Sequence, residues 1–130
     1  MKTSTHNIEI ARSMLEGVIR RRDEEKVKFL ENVETNLNYA LQWAGTMAEQ
    51  EAEAVVAQKV LIDVDNGHSW LDVLTYQSQQ LKQSLMRNYL AASSTSHFSN
   101  AVENHTRAAY ASMYERLESM REEFAKDEEK

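Results

Sequence analysis

Proline is absent from the chain of 130 residues and glycine occurs only three times, so almost nothing in the sequence forces the backbone out of a helix. Much of the remainder is Ala, Leu, Glu, Gln and Lys, side chains that lose little freedom in a helix, while Thr and Val are scattered instead of alternating as in strands. The expected fold is therefore all-α. Long amphipathic helices would form an elongated helical hairpin, a three-helix bundle or a coiled-coil-like assembly. No Pro/Gly-rich linker divides residues 1–130, which read as a single domain.

The apolar periodicity places the helices. Thr5 is a candidate cap for a first stripe through Ile8, Ala11, Leu15, Val18 and Ile19. An unbroken run of charge from Arg20 to Lys26 follows, in which Arg20/Glu24 and Arg21/Glu25 stand four apart and are expected to pair along a solvated surface. The stripe resumes at Leu30, Val33, Leu37, Leu41, Ala44, Ala48, Ala52, Val55 and Ile62, with its phase unchanged across Gly45. One helix over 5–62 is predicted, with a weak point at Gly45. The segment from Asp63 to His68 carries two Asp, an Asn and Gly67, and predicts a reversal. Ser69 caps a second helix over 69–92, and small hydroxylated residues from Ala91 to Ser96 predict the next corner. A third helix over 97–126 repeats Phe98, Val102, His105, Ala109, Met113, Leu117, Met120 and Phe124, before a charged tail that is expected to fray.

Two sets of side chains carry the expected contacts. Leu30, Val33, Leu37, Leu41, Phe98, Val102, Ala109, Met113, Leu117 and Met120 form the predicted helix-packing seam. Leu71, Leu74, Leu81, Leu85 and Tyr89 form an apolar face on the second helix, interrupted by Gln77 and Ser78, that is free to contact a partner or surface. Long rods of this size bury only a thin core, so self-association is the default expectation.

Catalytic and metal-binding patterns are wanting. His97 and His105 lie too far apart on one helix to share a metal ion, and His6 and His68 stand alone. The sequence around His105 lacks the Glu-x-x-His of di-iron bundles. Asp63-Val64-Asp65-Asn66-Gly67 begins like a calcium loop without its later ligands, and Glu49/Glu53 read as a solvated helix pair. These features predict no catalytic residues, no cofactor and no metal. The absence of cysteine excludes disulfides and thiolate ligands. A formal charge of −6 argues against nucleic acid as a partner. The first residues lack a secretory apolar core and no apolar run could cross a bilayer, which predicts a cytoplasmic protein.

The order of parts over Phe29 to Phe124 resembles the phasins, helical proteins that coat bacterial polyhydroxyalkanoate granules. The likeness rests on a long helix through Leu37, Leu41 and Trp43, an acidic-polar corner from Asp63 to Ser69, and the Leu-x-x-Leu-x-x-Gln-Ser arrangement within Leu71 to Leu81. The resemblance implies a non-enzymatic, granule-associated coat that turns apolar faces to the polymer and charged faces to the cytosol, often as an oligomer. The charge block at Arg20 to Lys26 and the acidic tail depart from that family's pattern. A helical adaptor, whether chaperone-like, secretion-associated, phage-encoded or regulatory, whose stripes pair with a protein partner, fits the same composition.

Overall fold

A computed structural model describes residues 5–33, 36–90 and 97–129; within them the side chains of 33, 37, 88–90, 97–103 and 129 are outside the description. The described residues are all-α, with four helices: α1 (Thr5–Val33), α2 (Leu37–Asp65), α3 (Trp70–Leu90) and α4 (His97–Glu129).

The single helix expected over 5–62 is two helices. Gly45, the anticipated weak point, lies inside an uninterrupted α2, and the break falls beside Asn36. Asn36 adopts an extended conformation, and its side chain accepts a hydrogen bond from the Tyr39 backbone N–H at 3.1 Å, satisfying a donor that the new helix leaves free. Within the last turn of α1, Asn32 Nδ2 donates to the Lys28 carbonyl at 2.7 Å. Asn36 thus starts α2 without help from glycine or proline.

The reversal after α2 follows the expectation. Gly67 takes a φ of +101°, and its N–H and that of His68 donate to Val64 and Asp63 carbonyls, a Schellman closure that a side-chain-bearing residue would strain. Ser69 Oγ then accepts from the Asp72 N–H at 3.4 Å as α3 begins. The expected corner from Ala91 to Ser96 lies outside the described residues. The C-terminal segment, expected to fray after 126, remains helical to Glu129, and Asn7 Nδ2 donates to Asp127 Oδ2 at 2.7 Å across α1 and α4.

Each helix runs antiparallel to the one before it. Arg12 reaches Asp65 and Arg22 reaches Glu51 across α1 and α2, while Trp70 meets Phe124 across α3 and α4. The two hairpins join mainly where α2 lies on α4; α2 touches α3, and α1 touches α4, less extensively. The result is a flattened four-helix arrangement.

One end of this arrangement is closed. Ala11 and Leu15 of α1, Val56, Ala57 and Val60 of α2, Val73, Leu74 and Leu81 of α3, and Met113, Leu117 and Phe124 of α4 form a common core. Trp70 stacks on Phe124 with centroids 5.6 Å apart, and the Arg12 guanidinium lies 5.7 Å from the Trp70 ring. The opposite end is open: no described side chain from Glu16 to Glu53 is buried, nor any described one of α3 beyond Leu81 or of α4 before Ala109. The charge block of α1 and the alanines of α2 explain this, because they offer little apolar area to remove from water.

Candidate functional site

The residues of the expected packing seam fall in different surroundings. Ala109, Met113, Leu117 and Met120 are buried, whereas Leu30 is 55% exposed and Leu41 73% exposed. The side chains of Val33, Leu37, Phe98 and Val102 lie outside the description. At the open end Phe29, Tyr39 and Trp43 form a partly exposed aromatic series between α1 and α2, with ring centroids 6.1 and 6.2 Å apart.

The reason is the phase of α2. Its inward positions include Ala54, Ala57 and Val60, so residues one step away point out. Leu41, Ala48, Val55 and Ile62 recur at seven-residue intervals and are all exposed, Ile62 to 58%. At 1.5 Å per residue this stripe is about 32 Å long. These residues belong to the longer stripe expected from the sequence, and the fold turns them to solvent.

The reverse correction applies to α3. Leu74 is 0% and Leu81 4% exposed, so the face expected to meet a partner already packs inside the chain. Leu71 and Leu85 are half-buried, and the Tyr89 side chain lies outside the description. Gln77 and Ser78, which interrupt that face in the sequence, are also buried, and each has a partner on a neighbouring helix. Gln77 Nε2 donates to Asp63 Oδ2 at 3.3 Å on α2. Ser78 Oγ donates to Glu118 Oε1 at 2.5 Å on α4, and Arg121 donates twice to Glu118 Oε2 at 2.9 and 2.7 Å. Hydrogen bonds from Arg121, then from Ser78, hold the Glu118 carboxyl below its ordinary pKa. The Gln-Ser pair in the segment that carries the phasin resemblance thus satisfies polar groups within the bundle.

Where α2 crosses α4, Gly45 and His105 explain each other. A Cβ on residue 45 would overlap Nε2 and Cε1 of the His105 ring, so only glycine lets the imidazole lie against the helix. His105 Nδ1 donates to Glu49 Oε1 at 2.8 Å. One turn on, burial pushes the Glu53 carboxyl above its ordinary pKa, an effect that Arg116 at 3.7 Å only partly offsets and the Glu49 charge reinforces. The charge block of α1 also pairs differently from the expectation. Among the described residues it is Arg22 that forms ion pairs, with Asp23 at 2.7 Å and with Glu51 of α2 at 3.0 Å, in place of pairs from Arg20 and Arg21 along the helix.

The described residues contain no group of three or more His, Asp or Glu side chains placed to hold a metal ion, and no described helix is long and apolar enough to cross a membrane. The chemistry on display is that of surfaces: an outward apolar stripe on α2, further exposed Val27 and Leu30 on α1, and an aromatic cluster beside them. No protein-family model, characterised protein or solved structure matches the chain.

Proposed function

We propose that the protein is a non-enzymatic, amphipathic helical protein that adsorbs to an apolar surface, the role implied by the phasin resemblance, with the outer face of α2 as its contact. The observation that carries this reading is the exposed stripe Leu41, Ala48, Val55 and Ile62, which charged and amide side chains flank but do not cover. Apolar side chains left in water along about six turns cost free energy that a granule surface recovers.

Magnitude constrains how such a coat works. Completing the burial of Leu41, Val55 and Ile62 contributes about 4 kcal/mol in all, at about 1–2 kcal/mol per side chain. Alone, that corresponds to roughly millimolar binding. A durable coat therefore needs several chains side by side, which accords with self-association, and acts at a granule in the cytoplasm. The seven-residue interval favours a second reading, pairing with a single helix of a protein partner, because a seam of one residue per two turns is narrow.

Co-sedimentation with amorphous polyhydroxyalkanoate particles, with protein-coated particles as control, tests the reading. Saturable adsorption to the bare polymer that Leu41→Asp/Ile62→Asp loses while remaining folded is the expected result. Failure of the wild type to sediment with either particle overturns the surface reading and leaves the helix-pairing one.

A further inference from the structure

On the side of α1 turned away from the core, Ser13, Gly17, Arg20, Glu24, Val27 and Glu31 recur at steps of four and three residues. All are exposed except Gly17, which is half-buried. A groove of about 600 Å³ follows this line past Ser13, Gly17, Arg20 and Glu24, and Arg116 is its one described lining residue from α4. The block Arg20-Arg21-Arg22-Asp23-Glu24-Glu25 crosses the middle of the line. It has a symmetry: reversed in direction, its bases stand where its acids stood. Inside the chain this charge is only partly answered. Arg22 is committed to Asp23 and Glu51, while among the described residues no carboxylate lies within ion-pair distance of Arg20 or Arg21, and no cation within it of Glu24. The basic-before-acidic order is the weaker one for pairing along a helix. Gly17 is equally unexplained from within. A glycine inside a helix costs about 1 kcal/mol relative to alanine, yet a Cβ there would meet only Arg20 Nη2, at 3.8 Å, an ordinary contact with the end of a flexible side chain.

We propose that this face of α1 pairs with the same face of a second copy of the chain, antiparallel, about a two-fold axis level with residue 22. A two-fold contact has to be self-complementary, and the charge block is. Arg20 comes level with Glu24 of the second copy, with Arg21 beside the same acids. Gly17 makes room for Val27 of the second copy, and Ser13 meets its Glu31. Each contact occurs twice. A parallel copy in register would set Arg20 against Arg20 and Glu24 against Glu24, so charge decides the orientation. The seam from 13 to 31 is about 27 Å long and largely polar, which makes the dimer weak and reversible, with its register fixed by charge more than by apolar area. The pairing gives the self-association of the coat reading a surface, but it lies on α1 and not on the α2 stripe and is tested without polymer, so either can fail without the other.

Sedimentation equilibrium of the intact protein is expected to show a monomer–dimer equilibrium. Arg20→Glu/Arg21→Glu sets acids against acids across the two-fold, and Asp23→Lys/Glu24→Lys sets bases against bases. All four positions are exposed, so both variants should keep the wild-type circular dichroism spectrum, and each is expected to dimerise at least about tenfold more weakly. An equimolar mixture of the two restores opposite charges across the seam and should form a heterodimer within about threefold of the wild-type affinity. The lysine variant separates local pairing from general repulsion. It brings the net charge of −6 nearer zero, so repulsion alone would make it dimerise more tightly. Gly17→Leu fills the space for Val27 of the second copy and should weaken dimerisation at least about tenfold. The proposal is overturned if the wild type stays monomeric, if the lysine variant dimerises as tightly as wild type or more so, if mixing fails to restore association, or if Gly17→Leu dimerises unchanged.

Discussion

Replacing Gly45 by alanine should destabilise the protein or leave it unchanged, although the same change inside an ordinary helix stabilises. In an exposed helix interior, Gly→Ala contributes about 1 kcal/mol through backbone entropy. Here the added methyl group falls within the His105 ring, which has to swing away and give up its 2.8 Å hydrogen bond to Glu49. Both side chains of that pair are about a third or more exposed, at 41% and 34%, so the bond counts at the low end. Its loss costs about 1 kcal/mol, and lost packing of the ring against α2 costs about as much again. The single substitution should therefore lie between neutral and about 1 kcal/mol destabilising. With His105→Ala already present the obstruction is gone, and Gly45→Ala should stabilise by about 1 kcal/mol. Urea unfolding of the four proteins at neutral pH, followed by circular dichroism, gives the coupling directly; about 1–2 kcal/mol is expected. An equal gain of about 1 kcal/mol in both backgrounds would refute the packing of His105 on Gly45.

Other perturbations separate the core from the outer faces. Leu81→Asp should destabilise by about 3 kcal/mol or more, since it buries an unpaired charge, while Leu41→Asp should stay within about 0.5 kcal/mol of wild type in the same unfolding assay. Ser78→Ala removes one donor from Glu118 and should cost about 1 kcal/mol. The Glu118 carboxyl has a lowered pKa in the folded protein, so its contribution is present above the ordinary carboxylate range and disappears as pH falls through the folded value. The stability lead of wild type over Glu118→Gln should accordingly shrink on acidification below about pH 4.5, and a constant lead would contradict the charge-assisted bond. Glu53 has the opposite sign: its pKa is raised by burial, so its charge opposes folding at neutral pH. Glu53→Gln should raise the melting temperature at pH 7, and the gain should vanish below about pH 4.

Sequence periodicity located the last helix well because α4 is apolar on one side only, with Ala109, Met113, Leu117 and Met120 buried and residues such as Glu115 and Glu122 exposed. It misjudged α2 because that helix carries two apolar stripes. Ala54, Ala57 and Val60 form one stripe, Leu41, Ala48, Val55 and Ile62 another, and local pattern does not say which stripe meets the neighbouring helices. The break beside Asn36 escaped because no glycine or proline marks it, though Asn36, as a cap residue, was a readable signal. The corner at Gly67 was legible because its φ of +101° suits glycine above all. The dependence of Gly45 on His105, the partners of Gln77 and Ser78, and the Phe29–Tyr39–Trp43 cluster all join different helices, and no local spacing encodes them.

The chain has no native cysteine, so every introduced thiol is a unique reporter of which face is exposed. Single variants Leu41→Cys, Ile62→Cys, Leu74→Cys and Leu81→Cys are to be labelled with a thiol reagent, first in solution and then with polyhydroxyalkanoate particles present. Rapid labelling at 41 and 62, protection at 74 and 81, and loss of labelling at 41 and 62 once particles are added are expected. Rapid labelling at 74 and 81 in solution, or particle-dependent protection there while 41 and 62 stay reactive, would contradict the α2 contact and return it to the leucine face of α3.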